Sequence, residues 1–137
     1  MLGSILLKKG WITPERLDAA LEERTSSGLR LGEILLSHSW IFEPELAHAL
    51  AEQFELPYID LSARSFDPTV AALLPLEVAR RLFAVPVRFV GADGIQVAIA
   101  DPTDVDVDLL ERVLKYRVEL VVAERTAIQA AWRNLQH

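Results

Sequence analysis

The sequence predicts an α+β fold: an N-terminal helical subdomain made of two tandem helix-turn-helix repeats, followed by a small mixed α/β subdomain. Three observations carry that prediction. Residues 1–24 reappear at 30–53 with a shift of 29 positions. Apolar residues in both copies fall at helical spacing. Past residue 55 the pattern changes to valine-rich alternating segments punctuated by Asp-Pro and Gly-Ala-Asp-Gly turns. These place a tandem-repeat helical subdomain over 1–55 and an α/β subdomain, with a hairpin and flanking helices, over 56–137.

The repeat is dense. Eleven of the 24 aligned positions are identical: Leu2, Gly3, Ile5, Leu6, Leu7, Trp11, Ile12, Leu17, Ala20, Leu21 and Glu23 meet Leu31, Gly32, Ile34, Leu35, Leu36, Trp40, Ile41, Leu46, Ala49, Leu50 and Glu52. Each unit reads as a short helix, a turn and a longer helix. In the first, Leu2, Ile5 and Leu6 share a face, and Gly10 stops the helix by taking a left-handed backbone. Thr13-Pro14 is a start signal, a capping hydroxyl followed by a residue preset for the first helical position. Thr25-Ser26-Ser27-Gly28 reads as the linker between units, and Pro44 opens the long helix of the second. Among the positions where the copies depart from each other, three matter most. Ser39 stands where the first unit has Gly10, Met1 stands opposite Arg30, and Arg24 stands opposite Gln53.

The remaining elements follow in order. Leu56-Pro57-Tyr58-Ile59-Asp60-Leu61 is extended, because a proline disfavours helix in the residue before it. Asp67-Pro68 opens a helical stretch through Val70, Leu73 and Leu74, which Pro75 ends. Residues 76–82 form a short helix tipped by Arg80 and Arg81. Residues 83–90 and 95–100 are two strands joined by the turn at 91–94, a hairpin. Asp101-Pro102-Thr103-Asp104 caps a helix running to about Leu114. A third strand covers 117–122, and an amphipathic helix over 126–135 turns Ile128, Ala131, Trp132 and Leu135 inward.

Composition sets the bounds. The 137 residues are 51% hydrophobic and 25% charged, enough to bury a core without metal or disulfide staples. There is no cysteine, which excludes disulfides and thiolate metal sites and suits a reducing compartment. The net charge of −6 speaks against nonspecific nucleic-acid binding, though not against one small anion held by local arginines. No apolar run is long enough to span a bilayer, and Ile5–Leu7, followed at once by Lys8 and Lys9, is too short for a signal-peptide core. The expectation is a cytoplasmic protein.

Chemistry-bearing motifs are sparse. His38, His48 and His137 form no metal-ligand spacing, and there is no Gly-x-Ser-x-Gly elbow or phosphate-binding Gly-x-x-x-x-Gly-Lys loop. Asp101, Asp104, Asp106 and Asp108 lack the glycine and terminal glutamate of a calcium loop, so helix capping is the preferred reading over a metal site. Arg80, Arg81 and Arg88 fit solvated surface charges as well as an acidic partner. No catalytic residue, metal or cofactor is therefore expected. The start of each repeat is more informative. Leu2-Gly3 and Leu31-Gly32, with Arg30 just before the second, either offer helix N–H groups and a guanidinium to an anion or serve close helix packing. Such an arginine matches a phosphate or the O6/N7 edge of guanine, and leucines nearby can cover a purine face.

The pattern Arg30-Leu31-Gly32-Glu33-Ile34-Leu35-Leu36, then Leu46, Leu50 and Gln53, resembles the tandem motif of the N-terminal domain of type II secretion and type IV pilus assembly ATPases. Leu56–Leu61, Pro75 and Val97–Asp104 are similar to that family too, so the resemblance covers essentially the whole chain. It implies a regulatory domain that binds cyclic di-GMP, with the motif arginine on a guanine edge and leucines on the bases. The residues it marks are Arg30, Leu31, Gly32, Leu35, Leu36, Leu46, Leu50 and Gln53 in the second copy, and Leu2, Gly3, Leu7, Gly10, Leu17, Leu21 and Arg24 in the first. The partners it implies are the C-terminal ATPase domain of the parent chain and an inner-membrane platform protein, which would hold the protein at the cytoplasmic side of that membrane without insertion. Two functions stay open at this point: a ligand sensor, and a protein-docking module with no nucleotide ligand.

Overall fold

The computed structural model describes residues 2–61, 66–103 and 105–135. Met1, Asp104 and His137, each singled out in the sequence, lie outside the described residues. The fold is α+β.

The repeats form α1 (Leu2–Lys8), α2 (Pro14–Ser27), α3 (Leu31–Ser37) and α4 (Glu43–Gln53). Their turns are built alike. Gly10 and Trp11 donate to the carbonyls of Leu7 and Leu6, and Ser39 and Trp40 donate to those of Leu36 and Leu35, all at 3.0 Å. Both turns need a left-handed residue, which Gly10 supplies at φ 73° and Ser39 at φ 57°. Glycine carries no Cβ penalty there and serine does. At the start of α2 the Thr13 hydroxyl accepts from Arg16 N–H at 3.2 Å. The stretch 25–27, expected as linker, is instead the last turn of α2. Thr25 and Ser26 donate their hydroxyls back to the carbonyls of Leu21 and Glu23, which keeps these polar residues helical until Gly28 ends the helix at φ 75°.

The repeats pack by exchange, with α2 against α3 and α1 against α4. The surface shows the same relation. Lys9 pairs with Glu52 at 3.2 Å, and the equivalent His38 pairs with the equivalent Glu23 at 2.6 Å. Lys9 also lies over Trp11, and His38 stacks on Trp40. Such reciprocal contacts, residue i on j and j on i, are the mark of a two-fold relation, here between two halves of one chain. Leu6, Ile34, Leu35, Ala20 and Ala49 are fully buried in the core they share.

The rest of the chain builds a three-stranded sheet of order β1-β2-β3, with β1 (Ala84–Val90), β2 (Gly94–Ile99) and β3 (Arg117–Val122). β1 and β2 form the expected antiparallel hairpin, and β3 joins β2 in parallel. Pro86 is tolerated because β1 is an edge strand with a register shift between Pro86 and Arg88. Around the sheet lie α5 (Pro68–Ala71), α6 (Leu76–Leu82), α7 (Val107–Leu114) and α8 (Arg125–Leu135). Two expectations need correction. The helix through Leu74 is a single turn that ends at Ala71. The helix expected to be capped from Asp101 begins at Val107, because Asp106 accepts from Leu109 N–H at 3.0 Å and takes the capping role. Trp132 of α8 is buried and donates its indole N–H to the Ala84 carbonyl at 2.9 Å, which locks the last helix onto β1.

The two parts meet along α4. Ala47, Leu50 and Ala51 bury against Val122 of β3, with Leu2, Leu46, Leu56 and Tyr58 beside them. The extended segment after α4 adds to β3: Val122 N–H donates to Pro57 and Ile59 N–H to Val122, both at 2.9 Å.

Replacing Ser39 by glycine should relieve the left-handed penalty, offset in part by the added entropy of the unfolded chain. We expect a net gain of about 0.5–1 kcal/mol, and Gly10→Ser a comparable loss. Thermal unfolding of the two variants checks both signs.

Candidate ligand-binding cleft

The packing of the repeats follows from two missing side chains. A Cβ on Gly3 would sit 3.0 Å from Leu17 Cδ1, and one on Gly32 would sit 2.9 Å from Leu46 Cδ1. The long helix of each repeat therefore drops its first leucine against the backbone of the short one. Of the two readings of these glycines, close packing is the one the geometry accounts for.

That packing opens a cleft of about 600 Å³ where the repeats meet the sheet. Its lining comes in equivalent pairs: Leu2 and Leu31, Gly3 and Gly32, Leu17 and Leu46, Leu21 and Leu50, Arg24 and Gln53. Arg30 and Leu36 line it as well. Three residues marked in the sequence do not. Leu35 is fully buried between the repeats, Leu7 is turned outward and 36% exposed, and Gly10 serves the exposed turn. The family resemblance marks these three as parts of its motif, which includes positions that hold the helices and turn as well as those that face the cleft.

The opposite wall was not legible in the repeat. It is formed by Ala100, Asp101 and Thr103, just past the end of β2, and by Ala123, Glu124 and Arg125, just past the end of β3. Ligands of α/β sheets gather outside the carboxyl ends of parallel strands, and β2 and β3 are the parallel pair. In the sequence this wall shows as the Asp101-Pro102-Thr103 stretch after the second strand, which reads as a helix cap and falls within the family resemblance at Val97–Asp104.

Arg30 joins the two walls. It precedes the first residue of α3, and its guanidinium lies 2.9 Å from Asp101 Oδ2. Asp101 also accepts the Thr103 hydroxyl at 2.5 Å and the Thr103 N–H at 2.9 Å. Burial pushes the Asp101 carboxyl up, but the Thr103 bonds and the Arg30 charge together outweigh it and hold the group below the usual carboxylate range. Behind the same wall Tyr58 donates to Glu124 Oε2 at 2.9 Å and stacks on His48. Burial and the Glu124 carboxylate raise the Tyr58 hydroxyl to about 12, so it keeps its proton at neutral pH. The cleft thus has an apolar floor of leucines and a rim of three arginines, Arg24, Arg30 and Arg125, among carboxylates. A mostly apolar pocket with a few placed charges suits a flat, partly anionic small molecule. Among the described residues no group of histidine, aspartate and glutamate is arranged to hold a metal ion.

Comparisons with known proteins agree with this geometry. The MshEN domain family matches residues 54–137. The type IV pilus assembly ATPase PilB of Myxococcus xanthus is 34% identical over 131 residues, which cover 95% of this chain and 23% of that protein. Bacteriophage adsorption protein B of Escherichia coli K12 is 34% identical over 134 residues, 97% of this chain and 18% of its own length. The chain therefore spans less than a quarter of the curated relatives it matches. Among solved structures, MshE with cdg (cyclic di-GMP) superposes with a TM-score of 0.81 at 32% identity, covering 98% of both chains, so the likeness extends over the repeats as well as the sheet. The N-terminal domain of XpsE superposes at 0.73 over 96% of this chain and 91% of its own, and at 23% identity it supports the fold.

A carboxylate held low by its neighbours stabilises the fold above its unfolded value, near 4, and loses that contribution as pH falls through the depressed native value. The urea midpoint of the unaltered protein should exceed that of Asp101→Asn at pH 6, and the gap should narrow toward pH 2. A gap independent of pH would show that the carboxylate charge carries none of the stability at this contact.

Proposed function

The chain belongs to the MshEN domain family, and from that premise we propose that it is a non-catalytic regulatory module that binds cyclic di-GMP in the cleft between its repeats. The observation that carries this reading is the paired lining. Cyclic di-GMP consists of two identical guanylate halves, and six pairs of equivalent residues, Ser4 and Glu33 included, line one cleft beside reciprocally packed helices. The leucine pairs offer apolar surface to the purine faces. Arg30 matches the O6 and N7 acceptors of one guanine, and Asp101 beside it offers an acceptor to N1–H and N2–H. A ligand seated there touches both the repeats and the loops after β2 and β3, so occupancy bears on the relation between the two parts of the fold. The parent protein, on this reading, is a type IV pilus or type II secretion ATPase, and its hydrolytic chemistry resides in sequence outside these 137 residues.

A second reading, docking to an inner-membrane platform protein, is favoured by one observation. Phe42 is 71% exposed and stands just before α4, where the first repeat has its capping Thr13. It borders a second, more open groove with Leu36, Ile41 and Pro44. The two grooves adjoin, sharing Leu36, Glu43, Glu124 and Arg125. Among the described residues no helix is long and apolar enough to cross a membrane, so such a partner would account for placement at the cytoplasmic side of one.

Isothermal titration with cyclic di-GMP should give saturable binding, and Arg30→Ala should weaken it about ten- to a hundred-fold through loss of a charge-assisted contact. Absence of heat at high micromolar ligand sinks the sensor reading. For docking, the cytoplasmic domain of the platform protein should be retained without ligand and lost with Phe42→Ser.

A further inference from the structure

A single residue, Phe83, carries the chain from α6 into β1. It does so with a left-handed backbone, φ 52° and ψ 57°, its N–H donating to the carbonyls of Ala79 and Arg80. Glycine and asparagine take this conformation readily, whereas a bulky side chain there is an outlier. Such strain persists only where the surroundings over-determine it, and three contacts do so here. The Phe83 carbonyl accepts from Ala100 N–H at 3.3 Å, at the head of the loop after β2. Its ring packs tilted on Trp132, with centroids 4.9 Å apart. Arg125 brings its guanidinium over the same ring, 5.1 Å from the centroid. Arg125 and Trp132 are about two turns apart on α8, so one face of that helix meets the ring with both. Arg125 needs such a support. As the first residue of α8 it stands at the positive end of the helix dipole, where a cation is disfavoured. Glu43 and Glu124 line the cleft with it, yet among the described residues no carboxylate forms an ion pair with it.

We infer that Phe83 is a positioning residue of the cleft. Its ring sets the Arg125 side chain and its carbonyl sets Ala100, so one residue outside the cleft lining holds both loops of the sheet-side wall. The inference rests on the cyclic di-GMP reading of the cleft and adds to it a residue that touches no ligand and acts through Arg125. Packing on Trp132 accounts for an apolar side chain at this position, which leucine would also supply. An aromatic face is needed to attract the guanidinium. That contact orients Arg125 without a carboxylate to neutralise it, so its charge stays available to an acceptor in the cleft.

The test is a double-mutant cycle on the whole chain. Cyclic di-GMP is titrated into the unaltered protein, Phe83→Leu, Arg125→Ala and the double variant, with Phe83→Tyr as the control that keeps the ring. Phe83→Leu should weaken binding roughly two- to five-fold, and Arg125→Ala at least as much. Phe83→Tyr should bind as the unaltered protein does. In the Arg125→Ala background, Phe83→Leu should cause no further loss, because the residue it acts through is gone. Thermal unfolding checks that each variant folds. Should Phe83→Leu not fold, Phe83→Asn, which suits the left-handed backbone and also lacks the ring, takes its place in the cycle. An equal loss in both backgrounds, or no loss in either, overturns the positioning role and leaves the cleft reading standing. Failure of the unaltered chain to bind overturns both.

Discussion

The close contact between a glycine in each short helix and a leucine in each long one is the constraint on which the cleft depends. Gly3 admits Leu17 and Gly32 admits Leu46 to distances a Cβ would not allow. These leucines line the cleft, with Leu21 and Leu50 a turn further along the long helices. Because the contact is made twice, in equivalent places, the exchanged packing of α1 on α4 and α3 on α2 comes out reciprocal. The surface pairs Lys9–Glu52 and His38–Glu23 repeat that relation, but as exposed ion pairs they add little to stability.

Against this shared frame the differences between the copies acquire meaning. Ser39 takes a left-handed turn that Gly10 takes freely, and Phe42 replaces a capping threonine, a change that usually costs about 1 kcal/mol. The second repeat is thus the less well made of the two as a pair of helices. It nevertheless carries Arg30, the residue tied to the opposite wall, and the exposed Phe42. Local stability and surface chemistry have been distributed unequally over a duplicated backbone.

The sheet supplies what the repeats lack. Without the loops after β2 and β3 the repeats would present a leucine-lined groove with Arg24 and Arg30 in its lining. Asp101 adds an acceptor beside Arg30, and Arg125 adds a third cation over the ring of Phe83. The joint is apolar, through Leu50, Ala47 and Val122, and hydrogen-bonded, through Pro57, Ile59 and Val122. A ligand in the cleft would press on a packed interface, which transmits strain because close-packed interiors deform little.

The sequence by itself determined the duplication, the helices of each repeat and the three strands, because these depend on local spacing: a 29-residue shift, apolar residues at helical intervals, and valine alternation between turns. It erred where two local signals competed, as when Asp101 and Asp106 both offered a cap, or when the hydroxyls of Thr25 and Ser26 bonded back into the helix. Half of the cleft was legible for the same reason, since equivalent leucines and glycines repeat along the chain. Tertiary structure alone decided which of those residues face the cleft, burying Leu35 and turning Leu7 away. It also decided that Asp101 and Arg125, about 70 and 95 residues beyond Arg30, complete the wall. The parallel pairing of β2 with β3 brings those two loops together, and no local pattern in the chain encodes that pairing.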